Sequence, residues 1–428
     1  MTKDNRTKKK PRGRHPATRG RRGGRTRGGR AGSRAGGGGT STSDDQWAAD
    51  NDAFLAQART IDPTRAEEVD AGLHRLIALQ NQQLGERATS GRDRMPFSVY
   101  RFICKKLRQD GGGDAIFAHC ILTLSWSLMS RSESMTIANL HHIDWHDDCL
   151  VIYFHHWKTD QLGLNKNEPW HVYANPIDPD VCPHLALSVY LLTFDTILPT
   201  GNKLFQGPDP YNRYSEALLC IGRKYAAEIG AMGMDVKYLG VCSVPKGAET
   251  YVTAGCTVAP PIVSVCLRAG WLIGNVKERY LHYQSAGDMY VARMATGLEV
   301  MSTDFAVSPP YFEGDESVLD AVDEWVLAVA GEGVKDHPHL RHVVKYLLAS
   351  FCYHREYLKS AFPSNSPFFS SIAFATMQSD AVINASIVRY PWNKTPQTPE
   401  LTGIPPHVAI ICKLEELQER RRSAGLQS

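Results

Sequence analysis

The chain has 428 residues and no run of about 18 or more consecutive apolar residues, the length a membrane-spanning helix needs. Its longest apolar stretch, Ala115 to Met129, is interrupted by His119, Thr123, Ser125 and Ser127. Cysteine is sparse: ten residues at irregular spacing, with no Cys-x-x-Cys pair. That pattern speaks against a disulfide framework and for reduced thiols in a cytosolic or nuclear setting. Paired metal ligands are also missing. The nearest approach is Cys182-Pro183-His184, with His141/His142 and His155/His156 elsewhere, so neither a metal site nor a cofactor is expected.

Acidic residues are almost absent from residues 1–40, where Asp4 stands against 14 Lys/Arg, a local charge of +13. The remaining residues hold 34 basic and 44 acidic side chains, a balance of −10 hidden inside the overall +3. The basic start contains no apolar segment and does not read as a secretory leader. Residues 1–45 are expected to form a disordered Arg/Gly-rich tail, because such a composition cannot offset the entropy of ordering its backbone. Clustered arginine of this kind suits either a localisation and solubilising tail or a non-specific nucleic-acid arm that releases counterions from phosphates.

Beyond the tail the periodicity is mostly helical. Ala71, Leu73, Leu76, Ile77 and Leu79 place a helix within Asp62–Leu84, in a short region, 46–96. Phe97 to Leu107 reads as a helix with a basic edge of Arg101, Lys105, Lys106 and Arg108, ended by Gly111–Gly113. Phe117, Ile121, Leu124 and Leu128 mark a buried helical face that, continued, carries Arg131 near the core side, where a charge must be paired or used. The period then changes. His142–Trp145, Leu150–Phe154 and Trp170–Ala174 read as three antiparallel strands, with Asp147-Asp148 at the first turn and Lys158 in the second connection. Helices resume at Pro183–Phe194, Tyr214–Ile229 and Lys246–Ala254. Another opens at Pro260-Pro261 and closes at Gly270, and a short one runs from Asn275 to Tyr283. The acidic Pro/Gly stretch Ser308–Asp315 is a candidate boundary before helices at Val318–Ala330, Leu340–Ala361 and His407–Arg422. The expected class is mainly α with a small antiparallel sheet (α+β).

This order of residues resembles the catalytic domain of tyrosine recombinases, and more closely the Crypton group of eukaryotic transposons. The segments that carry the likeness are LTLSWSLMSRSES (122–134), YFHHWKTDQLG (153–163), NPIDPDVCPHLAL (175–187), PKGAETYVTAG (245–255) and CLRAGWLIGNVKERYLHYQSAGDMYVAR (266–293). The last is the most specific, with Arg-Ala-Gly-Trp followed by a tyrosine nine positions after Trp271. The resemblance implies a recombinase-like catalytic domain at 97–310, a shortened DNA-clamping region at 46–96 and a separate C-terminal helical region at 311–428. It further implies double-stranded DNA as partner, a homo-oligomer on that DNA, and a nuclear location.

In such enzymes a tyrosine hydroxyl attacks a DNA phosphodiester to give a 3′-phosphotyrosine and a free 5′-hydroxyl. A phenol with a pKa of about 10 needs assistance to do so at neutral pH. By position the resemblance assigns Tyr280 as nucleophile, with Tyr283 its competitor, Arg131 as first arginine, Lys158 as general acid and Trp271 as phosphate buttress. The family's His-x-x-Arg motif is replaced here: Cys242 and Pro245 stand at its two functional positions. Lys246, about 100° around a helix from position 245, reads as a poor substitute for the arginine, though it joins Arg101, Lys105, Lys106 and Arg108 among cations available to DNA. The expected function is therefore that of a transposon-derived DNA-binding protein of the recombinase class with impaired strand cleavage and rejoining. The alternative is a non-catalytic scaffold, in which Val408, Ile411, Leu414 and Leu417 would present a partner-binding stripe.

Overall fold

The computed structural model describes residues 92–153, 169–194, 203–270, 285–377 and 379–425. All of them lie in one compact unit, Ser90–Ser428. The tail expected at 1–45 and the helix expected at 62–84 lie outside the described residues.

The architecture is mostly helical around a small antiparallel sheet. Its centre is the helix Gly113–Leu128, in which every residue from Ala115 to Leu128 is buried. The sequence pattern anticipated one buried face. The helix is enclosed on all sides because Phe97–Asp110, Pro183–Thr193, Pro210–Lys224 and Ser243–Ala254 all pack around it. A helix so surrounded has no need of a polar stripe, and its Thr123 hydroxyl is satisfied internally by the carbonyl oxygens of His119 and Cys120. The Phe97–Asp110 helix ends as anticipated, on Gly111 at φ 65°, a left-handed cap that glycine adopts at little cost.

The three strands are β1 (Ile143–His146), β2 (Cys149–Ile152) and β3 (Trp170–Val172), paired antiparallel in that order. Ile143 faces Ile152 and His146 faces Cys149 across a two-residue turn, with Asp147 at φ 48°. Such positive φ suits the hairpin turns that match strand twist. Leu150 faces Val172 on the other side of the fully buried central strand. The connection bearing Lys158 lies outside the described residues.

Two buried ion networks tie the sheet to the helix Ser285–Ala295. Asp288 accepts from the Arg268 guanidinium at 2.5 Å, from the His171 ring at 2.7 Å and from the His171 amide at 3.0 Å. Arg268 also donates to the carbonyls of Ser127 and His171, at 2.7 and 2.8 Å. In the second network Asp148, from the hairpin turn, pairs with Arg293 and accepts from the Thr402 hydroxyl.

The described residues of the region 311–428 are mostly helical, as expected, yet they share a core with the segment before them. The helix Leu340–Tyr353 packs on Pro183–Thr193, where the Ser188 hydroxyl donates to the Leu347 carbonyl at 2.8 Å. The Ser308–Asp315 stretch, proposed as a boundary, contains a strand, β4 (Tyr311–Phe312), paired with β5 (Ser386–Ile387). Glu313 and Arg389 close the same junction at 2.7 Å. Apolar pairing and an ion pair thus cross the stretch whose Pro/Gly composition had suggested a break. The last helix, Pro406–Gly425, is anchored by buried Val408 and Cys412, while Ile410, Leu414 and Leu417 are exposed. The apolar set read as one stripe is divided: Val408 serves the core and Leu414 and Leu417 do not.

Candidate functional site

The central helix stops at Leu128 because Met129 takes a left-handed conformation, φ 51°. Arg131 therefore leaves the helical stripe. It sits in extended backbone at the start of the short helix Ser132–Thr136, and it is exposed, in contrast to the expected position near the core. Its side chain forms no hydrogen bond or ion pair with the described residues.

Arg131 opens onto a cavity of about 440 Å³. Met129, Ser132 and Glu133 line it beside Arg131; Tyr211 and Val241 contribute from neighbouring elements. One wall is the helix Ser243–Ala254 with its cap, presenting Cys242, Pro245, Lys246 and Glu249. These positions fall at i, i+3, i+4 and i+7, which places them within an arc of about 100° on one helical face. Ala269, two residues before Trp271, completes the lining.

The opposite side of that helix explains its placement. A β-carbon at Gly247 would lie 2.2 Å from the Met95 carbonyl and 2.9 Å from the Trp126 ring, so only glycine permits this approach. Met95 donates its amide to Ser243 O at 2.9 Å. Tyr251 stacks on Phe97 at 4.4 Å, and Tyr100 stacks on Trp126 at 4.1 Å. Aromatic packing on one face thus aims the other at Arg131.

The cavity carries both signs of charge: Arg131 and Lys246 against Glu133 and Glu249. Lys246 donates to the Arg92 carbonyl at 3.0 Å, which uses one of the three ammonium protons. Burial, with help from Cys242 and Glu133, raises the Tyr211 phenol above its ordinary range. Tyr211 therefore remains a neutral hydrogen-bond donor at physiological pH and is a poor nucleophile. Pro245 offers no side-chain donor. Ser132 is 4% exposed and its hydroxyl has no partner among the described residues.

Of the residues assigned by resemblance, Arg131, Cys242, Pro245 and Lys246 come together here, while Lys158, Trp271, Tyr280 and Tyr283 lie outside the described residues. Residues not singled out in the sequence are Ser132, Glu133, Tyr211 and Glu249. The helical spacing of Glu249 from Cys242 was the available signal; Tyr211 had none.

The basic edge of the first helix fares differently, and none of its four cations lines the cavity. Arg101 is tied to Asp178 at 2.5 Å. Lys105 is exposed, and Lys106 lies over the rings of Phe102 and Tyr225. Arg108 is only 2% exposed, donates to Pro179 O at 3.1 Å and faces Asp180. Its expected role in touching DNA is corrected: helical spacing carries it inward, where a phosphate does not reach it. Cys182 caps the helix Pro183–Thr193 by accepting from the Leu185 amide, and His184 bonds to Val172 O at 2.7 Å, so both serve the fold.

No family model, no curated protein and no solved structure matches the chain.

Proposed function

We propose that the chain is a DNA-binding protein of the tyrosine recombinase class, transposon-derived and similar to Cryptons, in which strand cleavage and rejoining is impaired. The observation that carries this reading is the shared cavity. Arg131, the two replaced positions Cys242 and Pro245, and Ala269 come from distant parts of the chain and line one cavity, and that meeting supports the recombinase likeness.

The chemistry follows from what the residues offer. Arg131 presents a permanently charged fork matched to two oxygens of a phosphodiester. Tyr280 is assigned the attacking hydroxyl, Lys158 the proton for the departing 5′-oxygen, and Trp271 the opposing wall. A second guanidinium would brace the developing negative charge, but Pro245 stands in its place, and Cys242 stands where an imidazole would move the proton. Loss of one preorganised donor typically lowers a rate by about 10²–10³. Phosphate is thus gripped from one side while its transition state is left under-supported. The wider −10 balance leaves long-range attraction to the basic tail, which also suits a protein acting in the nucleus. A homo-oligomer on paired DNA sites belongs to the same reading. The exposed Ile410, Leu414 and Leu417 favour a second one, a scaffold that also binds a protein partner.

A nicked duplex whose 5′ fragment escapes after attack tests the chemistry. Denaturing gels are expected to show no covalent adduct while native gels show duplex binding at low salt. A Tyr280-dependent adduct would overturn the impairment, and absence of duplex binding would overturn the DNA function.

A further inference from the structure

We infer that Lys246 supplies the second cation of a single-oxyanion seat, which it forms with Arg131 and the Ser132 hydroxyl. This rests on the DNA-binding reading of the same cavity and adds the residue that makes holding possible without a second arginine.

The angle from Pro245 alone misjudges Lys246. Measured from Cys242 it lies about 40° around the helix, inside the face that lines the cavity. The Gly247 approach to Met95 and Trp126 fixes the helix from behind, and the Arg92 carbonyl holds the ammonium by one proton, leaving two donors. Arg131, on the same lining, has no side-chain partner among the described residues. Ser132, also on that lining, carries a hydroxyl that is buried and has no partner among the described residues. A buried unsatisfied hydroxyl is costly unless a ligand or water meets it.

Two cations and an orphan donor suit a tetrahedral oxyanion such as a phosphate. Glu133 and Glu249 on the same lining oppose free anions, so the seat is weak for a lone ion and relies on the rest of a polyanion being held elsewhere. An ammonium is a compact point charge rather than a bidentate fork. Lys246 attracts the phosphate without bracing two oxygens at once, which is a seat for holding rather than for cutting.

Cys242 lines the cavity and is exposed, so it reports on occupancy. The full-length chain is treated with N-ethylmaleimide across a titration of inorganic phosphate carried high enough to load a weak site, at ionic strength matched throughout by sodium chloride. Modification at Cys242 is read by peptide mass. Phosphate is expected to slow alkylation of the parent. Protection should weaken about tenfold in Lys246→Gln, as expected for loss of a hydrogen bond to a charged group, and return in Lys246→Arg. Lys394→Gln, exposed and outside the cavity, should match the parent. Equal protection of the parent and Lys246→Gln, or no protection of the parent, would overturn the seat. Duplex binding is measured alongside. Arg131-dependent duplex binding with protection indifferent to Lys246 removes this inference alone. Lys246-dependent protection without duplex binding removes the DNA function alone.

Discussion

Arg268 and Arg293 are each 1% exposed and each meets a buried carboxylate, whereas Arg131 and Lys246 are exposed beside a cavity and pair with no carboxylate among the described residues. The same charge serves opposite ends in the two regions. In the core, removing one partner strands the other in a medium that solvates it poorly. Around the cavity, water already solvates the cation, and only a ligand would notice its loss. Arg108 belongs with the first group, although in the sequence it stood beside Arg101 and Lys105 as a DNA contact.

The largest expected effect is therefore on the core side. Arg293→Ala should lower unfolding free energy by about 3–5 kcal/mol, because Asp148 is left buried and unpaired. Arg131→Ala should change it by less than about 0.5 kcal/mol. Urea denaturation of both variants checks the pair, and comparable losses would erase the contrast.

Acidification should reach the core before it reaches the cavity. Burial holds His184 down to about 4 and His354 down to about 3, the latter with help from the Arg108 charge, and lowers His119 as well. These rings stay neutral in the fold, while the unfolded chain takes up protons near pH 6.5. Stability is therefore complete above that pH and lost as pH falls through the interval, about 2 kcal/mol at pH 5 for each of His184 and His354. Urea midpoints at pH 7.5 and 5 read this directly. Asp288 adds a later loss: burial raises its carboxyl, but Arg268 and His171 outweigh that and hold it below the ordinary range, so its contribution disappears only in stronger acid, below about pH 4.

A smaller effect is expected at the back of the cavity helix. Gly247→Ala should cost about 1–3 kcal/mol by overpacking against Met95 and Trp126. Arg108→Ala should likewise lower the thermal midpoint and leave the salt dependence of duplex binding unchanged.

Much of the fold was legible because its signals are local. Gly111 marked a helix end, Asp147-Asp148 a hairpin turn, and short apolar runs between turn residues the strands. The join between Ser308–Asp315 and Ser386–Ile387 was not, since strands of two residues leave no period to read. At the site, the meeting of Arg131 with Cys242 and Pro245 was anticipated from the family likeness rather than from any periodicity. The departure of Arg131 from the helix was missed because a left-handed methionine has no sequence signal. Lys246 was undervalued because its direction was judged against one neighbour instead of the whole face.

The most direct test is the salt dependence of duplex affinity for the full-length chain and for Arg131→Ala,Lys246→Gln. If the two cations hold one backbone phosphate between them, the log–log slope of the double variant is shallower by roughly 0.9, the value for a single phosphate that is no longer neutralised. Superimposable lines for the two proteins would contradict a phosphate-holding cavity.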